Sequence, residues 1–203
     1  MKIIEASYHI EKPIDGAEIL KQVEKAGRTC YKSENRITEE SAKVFVRKLI
    51  ERGHESVLEH ASITVRFICD RGVSHEIVRH RLASYSQESQ RYVRYNGDIE
   101  FINPRMPNAK AYEAWQELCE RAEETYRELL SCDVQPQQAR SVLPNSVKTE
   151  IVMTANLREW RHFLKLRTAK AAHPQMRELT VPLLHELQEQ IPVVFDDIKE
   201  DNI

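Results

Sequence analysis

Between Ala61 and Cys69 every second residue is apolar: Ala61, Ile63, Val65, Phe67 and Cys69 alternate with Ser62, Thr64 and Arg66. Period two is the side-chain period of an extended strand, so the segment has one dry face and one wetter face. Such a strand cannot stand alone. Its backbone donors and acceptors need neighbouring strands, and its dry face needs a layer to pack on. The preceding stretch supplies one. Ala42, Phe45, Val46, Leu49 and Ile50 recur at helical spacing, which predicts a helix over 39–52 with Thr38 as cap, Glu39 and Glu40 at its positive end and Gly53 as its stop.

The remaining pattern is also mixed. A helix is expected over 15–27, opening at Asp15 and closing near Gly27. Ser74 can cap a short helix reaching about Leu82, with Glu76 and Arg79 as i,i+3 neighbours. Tyr92–Tyr95 and Ile99–Ile102 read as strands around the turn Asn96-Gly97-Asp98, after which Pro104 and Pro107 break the pattern. The longest helix is expected over 108–131, with Ala111, Tyr112, Trp115, Leu118, Cys119, Ala122, Tyr126 and Leu129 on its apolar stripe. Their register with aliphatics makes these aromatics packing residues rather than base-stacking platforms. Pro136 can start a short helix ending at Arg140, and a strand is expected over Val147–Thr154. Asn156, with Glu159 three residues on, resembles a capping box for the next helix, and a last helix over 174–190 should bend at Pro182.

A chain of 203 residues, 41% apolar and 31% charged, can bury one sizeable core, so one compact soluble domain over 1–203 is expected. No window has the apolar length of a membrane span, and the first residues lack a signal-peptide pattern, which points to the cytoplasm. Four cysteines without C-x-x-C spacing or a histidine partner at zinc-finger spacing indicate reduced thiols, neither a disulfide framework nor a structural metal. Cys69 and Cys119 fall on apolar faces. Cys30 has no evident activating group beside it.

Charge is segregated. Residues 71–95 hold five arginines against two glutamates, and residues 140–177 hold eight Lys or Arg against two glutamates, within a chain of net charge −2. A nucleic-acid-coating surface is basic overall. Two basic islands in an acidic background suit a focused pocket for small anions, provided they converge in space. The first island contains Arg79-His80-Arg81 and, seven residues later, Ser89 followed by Arg91. Guanidinium forks and a hydroxyl are phosphate-binding groups. In the second, Arg158 and His162 share a helix face close to Asn156, at a helix start that attracts anions, while Arg161, Lys165 and Arg167 occupy other faces.

Arg79-His80-Arg81, a seven-residue spacer and Ser89, continuing Gln90-Arg91-Tyr92, resembles the R-H-R-x(7)-S signature of the flavin-dependent thymidylate synthases. Gly53-His54-Glu55-Ser56 with Glu59-His60, Arg140-Ser141-Val142-Leu143-Pro144, and Asn156-Leu157-Arg158 with Arg167 resemble other blocks of that family in the same order. The resemblance implies an α+β fold, a mostly antiparallel sheet flanked by helices, and a homotetramer with active sites at subunit interfaces. It implies methylation of dUMP to dTMP, with methylenetetrahydrofolate as carbon donor, NADPH as reductant and FAD as cofactor. By matching positions, His54, Ser56, Arg79, His80, Arg81, Gln87, Asn156, Arg158 and His162 would meet the flavin cofactor. Glu76, Arg79, Gln87, Glu88, Ser89, Arg91, Arg140 and Arg167 would hold dUMP, Ser89 and Arg91 at its phosphate. Arg167 would be the catalytic residue, stabilising charge spread over N3 and the adjacent carbonyl so that C5 becomes nucleophilic.

Some members have Asn-Glu where this chain has Ser86-Gln87, Asn where it has His162, and Gln where it has Glu76. Two rival readings stay open on the residues alone. One is a nucleic-acid module stacking bases on Tyr85, Tyr92 and Tyr95. The other is an inactive relative that keeps the nucleotide pocket.

Overall fold

The computed structural model describes residues 1–200 of the protein. The chain is α+β and divides into two compact units. Strands β1 (Lys2–Ile4), β2 (Ser7–Ile10), β3 (Ser62–Asp70), β4 (Ala83–Gln87), β5 (Glu100–Ile102) and β6 (Lys148–Asn156) are interspersed with helices. The helices are α1 (Gly16–Thr29), α2 (Ser41–Glu51), α3 (Arg71–Ile77), α4 (Ala109–Ser131), α5 (Pro136–Ala139), α6 (Leu157–Arg167) and α7 (Pro174–Gln190). Among the described residues no helix is long and apolar enough to cross a membrane.

The main sheet has the order β2-β3-β6-β4. Leu157 donates its N–H to Ala61 O, and the Thr64 and Thr154 hydroxyls lie 2.9 Å apart, so residue numbers rise along β3 as they fall along β6. That pairing is antiparallel. The burial of β3 alternates residue by residue as period two requires, with Ile63, Val65, Phe67 and Cys69 inward.

One unit comprises residues 1–7, 67–79 and 86–152. Trp115, Cys119, Ala122 and Tyr126 turn one face of α4 inward, and the first two and Tyr126 join Ile99, Phe101, Ala139 and Val147 in a core cluster. Leu118, expected on that stripe, is 60% exposed. The expected hairpin around Asn96-Gly97-Asp98 does not form. β5 instead pairs in parallel with β1, Ile3 opposite Phe101, while Tyr92–Tyr95 is not a strand. The cause is local: the Ser89 carbonyl accepts from the N–H groups of both Tyr92 and Val93, which curls the chain into a turn. α3 is also shorter than expected. Asp70, not Ser74, caps it by accepting from Val73 N at 2.7 Å, and it stops at Ile77, so Arg79, His80 and Arg81 lie beyond the helix.

The other unit comprises residues 8–66, 80–85 and 153–203, of which those to 200 are described. Its core draws on Val23 of α1, Val46 of α2, Leu58, Ile63 and Val65, Met153, Trp160 and Phe163 of α6, and Leu183 and Leu187 of α7. Asp15 caps α1 as expected, but the helix runs past Gly27 to Thr29. Gly27 serves close approach instead, since a Cβ there would sit 2.7 Å from the Phe45 ring. Thr38 does not cap α2; its N–H is bonded by the Ser41 hydroxyl. Gly53, at φ +70°, takes the left-handed conformation that ends α2 and launches His54. Gly16 starts α1 against the Gln190 carbonyl, where a Cβ has no room. Gly16→Ala is therefore expected to destabilise the protein by about 1–3 kcal/mol, read as a lower urea midpoint; an unchanged midpoint would contradict this packing.

Candidate active site

β6 ends at Asn156, whose side chain turns back to accept from Glu159 N at 2.9 Å and so starts α6. Only this half of the expected capping box is seen, because the Glu159 carboxylate points instead toward His80. Leu157, Trp160, Phe163 and Leu164 are fully buried, and the Trp160 indole donates to Ile63 O at 3.0 Å, fixing the rotation of the helix. Arg158, His162 and Lys165 are consequently exposed together, at i, i+4 and i+7. Lys165, expected on another face, belongs to this stripe.

The stripe lines a cavity of about 670 Å³, together with Asn156, Glu159, Arg161, Glu55, Glu59, Leu82 and Ile198. A smaller recess of about 330 Å³ shares Glu59, Leu82 and Asn156 and adds Ser62, Ser84 and Thr154. Arg158 is paired with Glu59 at 2.6 Å on the exposed rim. A ligand anion would compete with that carboxylate for the guanidinium. Arg161 is 8% exposed and saturates its donor fork: Glu55 at 3.0 and 3.2 Å, Asp197 at 2.6 and 2.8 Å, and the Val194 carbonyl. It ties the turn Glu55–His60, which follows His54 and contains Ser56, to α6 and to the segment around Asp197.

Arg161 beside Asp197 holds that carboxyl below its ordinary 3.8. A depressed folded value means that the unfolded chain binds the extra proton, so this contribution is present above the ordinary carboxylate range and is lost as pH falls through it. Between about pH 5 and pH 2 the urea midpoint of the wild type should therefore fall more steeply than that of Asp197→Asn; parallel slopes would contradict the assignment.

Behind the stripe lies His80, 6% exposed. Its Nε2 accepts from Arg167 Nε at 3.0 Å, and its Nδ1 faces Glu159 Oε1 at 3.4 Å. The ring is clamped edge-on to Phe163 at 4.8 Å, with His162 at 5.6 Å. The Tyr85 hydroxyl donates to the His80 carbonyl at 2.6 Å, and burial pushes that phenol up to about 12, which keeps it a donor. Burial also raises the Glu159 carboxyl, partly offset by His162. The Thr180 hydroxyl donates to the Arg167 carbonyl at 2.9 Å, anchoring the end of α6 on α7. His80 of the first charge island thus meets His162 and Arg167 of the second. His54, Ser56 and Arg81 belong to the same unit and are exposed.

Glu76, Arg79, Gln87, Glu88, Ser89, Arg91 and Arg140 belong to the other unit. Arg79 and Arg91 are exposed, the latter 5.4 Å from the Tyr92 ring, and Ser89 Oγ accepts from Arg91 N at 3.3 Å. Arg140 is half-buried and donates to Gln137 O. The Gln87 amide donates to Ser74 Oγ at 2.9 Å and Thr149 Oγ1 at 3.2 Å. Glu88 accepts from the Tyr95 hydroxyl at 3.1 Å and sits 3.5 Å from Lys148 Nζ, which is bonded more closely by Glu150. Sequence reasoning passed over Glu159 as a mere cap, Lys165 as lying on another face, and Glu55 with Arg161. The i, i+4, i+7 spacing would have found Lys165; the carboxylate partners carry no sequence signal.

Residues 14–193 match the family model described as thymidylate synthase complementing protein. A protein of Thermococcus onnurineus named flavin-dependent thymidylate synthase is 39% identical over 158 residues, covering 75% of this chain and 64% of that protein. Proteins of the same name from Geobacter sulfurreducens and Corynebacterium efficiens are each 37% identical, over 85% and 93% of this chain and 78% and 82% of their own lengths. With the R-H-R-x(7)-S segment supplying the buried His80 and a family match across most of its length, the chain belongs to the thymidylate synthase complementing protein family, that of the flavin-dependent thymidylate synthases.

Proposed function

We propose that the protein is a flavin-dependent thymidylate synthase that methylates dUMP to dTMP, taking the carbon from methylenetetrahydrofolate and reducing equivalents from NADPH. The observation that carries the reading is the 3.0 Å contact between His80, in the signature segment, and Arg167, 87 positions away in the second basic island. The residues also fit the cofactor. A cavity of about 670 Å³ lies within the usual range for bound organic ligands. Arg158 and Lys165, with His162 between them, give it a wall of hydrogen-bond donors beginning at the N-terminus of α6, suited to a diphosphate. Asn156 and Ser84 add neutral hydrogen-bonding groups to the cavity and its smaller recess.

FAD, when bound, supplies the electrons that turn the transferred carbon into a methyl group. The chain's residues do the rest. His54, Ser56, Arg79, His80, Arg81, Gln87, Asn156, Arg158 and His162 hold or border the cofactor. Arg79, Ser89, Arg91 and Arg140 offer donors to dUMP, Ser89 and Arg91 to its phosphate. Arg167 meets the pyrimidine and stabilises the negative charge on N3 and the adjacent carbonyl, which raises electron density at C5. Glu76, Gln87 and Glu88 lie near the nucleotide. Glu88, 3.5 Å from Lys148, orients its surroundings rather than touching phosphate. No cysteine nucleophile is called for. Cys69, the buried thiol of β3, is pushed up by burial and stays protonated. A cytoplasmic homotetramer completes the reading, with neighbouring subunits closing over the cavity. Leu82, 76% exposed on the cavity wall, suits such a cover.

The experiment is purification followed by spectroscopy and titration. A yellow protein carrying about one flavin per subunit, with negligible oligonucleotide affinity at moderate salt, supports the enzyme. A colourless protein that binds oligonucleotides with steep salt dependence would make it a nucleic-acid module.

A further inference from the structure

We propose that Glu159 is a positioning residue for Arg167, acting through His80: the buried carboxylate holds the imidazole in its Nδ1–H form, and the Nε2 lone pair then fixes the guanidinium by its Nε–H. This rests on the reading of Arg167 as the arginine that meets the pyrimidine.

Proton accounting leads there. A guanidinium has only donors and keeps its proton in proteins. Because Arg167 Nε donates to His80 Nε2 at 3.0 Å, that nitrogen must carry a lone pair, so the ring is neutral and its one proton is on Nδ1. The group facing Nδ1 is Glu159 Oε1 at 3.4 Å, long for a hydrogen bond but close for a carboxylate beside an N–H dipole. His80 and Glu159 are each 6% exposed, so bulk water cannot substitute for the carboxylate. The opposite tautomer would set an Nε2–H against the Arg167 Nε–H. Tautomer and arginine orientation are therefore coupled. The ring dipole is favourable at both ends, N–H toward the anion and lone pair toward the cation, and such a partner commonly fixes which imidazole nitrogen is protonated.

A cation held by His80, Glu159 and His162, whose ligand atoms lie within 4.8 Å of one another, is the competing use of the cluster. It conflicts with the same accounting. A metal on Nδ1 would drive the proton to Nε2 against Arg167, and a metal on Nε2 would displace Arg167.

The test uses flavin-loaded enzyme labelled with ¹⁵N in histidine, the His80 signal being assigned by loss in His80→Gln. Long-range ¹H–¹⁵N spectra should show wild-type His80 neutral with its proton on Nδ1. Glu159→Gln, whose amide oxygen still accepts, should keep that form. Glu159→Leu should shift the proton to Nε2 and lower kcat for dTMP formation by about 10- to 100-fold when assayed under flavin saturation. A wild-type His80 protonated on Nε2 or on both nitrogens overturns the proposal. So does a Leu variant in which tautomer or kcat is unaltered. If the Leu variant does not fold, the wild-type and Gln tautomers decide. If flavin-loaded wild type makes no dTMP, the functional reading fails, while the tautomer still reports on the relay.

Discussion

Replacing Arg167 with Ala is expected to lower kcat for dTMP formation by about 10²- to 10³-fold, the usual cost of removing one donor that stabilises developing negative charge. dUMP binding should weaken only in part, because the phosphate contacts are made elsewhere. Folding should survive. The Thr180 hydroxyl bonds the Arg167 backbone carbonyl, and Ala keeps that carbonyl. Arg167→Lys should recover little, since an ammonium lacks the planar fork whose Nε–H meets His80 at 3.0 Å. The measurement is steady-state turnover under flavin saturation, with dUMP binding followed separately. A kcat within twofold of wild type would remove Arg167 from the chemistry.

Arg161→Ala should act on the fold first and on the site through it. The guanidinium is shared between the Glu55 and Asp197 carboxylates and satisfies the Val194 carbonyl, so its loss leaves three acceptors without their shared donor. Breaking a buried ion pair costs about 3–5 kcal/mol. The lower end applies, because Asp197 keeps 55% of its side chain exposed and can be rehydrated. Among the described residues, loss of the clasp also leaves the turn Glu55–His60 held to α6 by side-chain ion pairs only through the exposed Arg158–Glu59 pair, so flavin affinity should fall more than dUMP affinity. Urea unfolding and flavin titration check both parts. An unchanged urea midpoint would show that the clasp is ornamental.

Local pattern carried most of the fold. β3, α4 and the start of α6 were legible because each has a strong periodic or capping signature, and Asp15 and Asn156 open their helices as expected. Failures cluster where a nonlocal or backbone contact won. Ser74 reads as a cap, but Asp70 four residues earlier has the better geometry, and Ser74 is buried receiving the Gln87 amide. Tyr92–Tyr95 reads as a strand, but two N–H groups find the Ser89 carbonyl first. β4 hides inside the signature because its residues read as ligand-binding donors rather than as an alternating strand. The parallel pairing of β1 with β5 joins segments far apart in sequence and has no local signal. For the site, spacing found the cationic residues. It missed the carboxylates, because what makes Glu55 and Glu159 significant is which cation or ring they face after folding.

The most direct measurement of the central claim is dTMP formation by the flavin-loaded protein, followed chromatographically with dUMP, methylenetetrahydrofolate and NADPH present and each omitted in turn. Multiple turnovers that stop when any one of the three, or the flavin, is withheld are the expected result. A fully loaded, folded protein that yields no dTMP with all of them present would contradict the account.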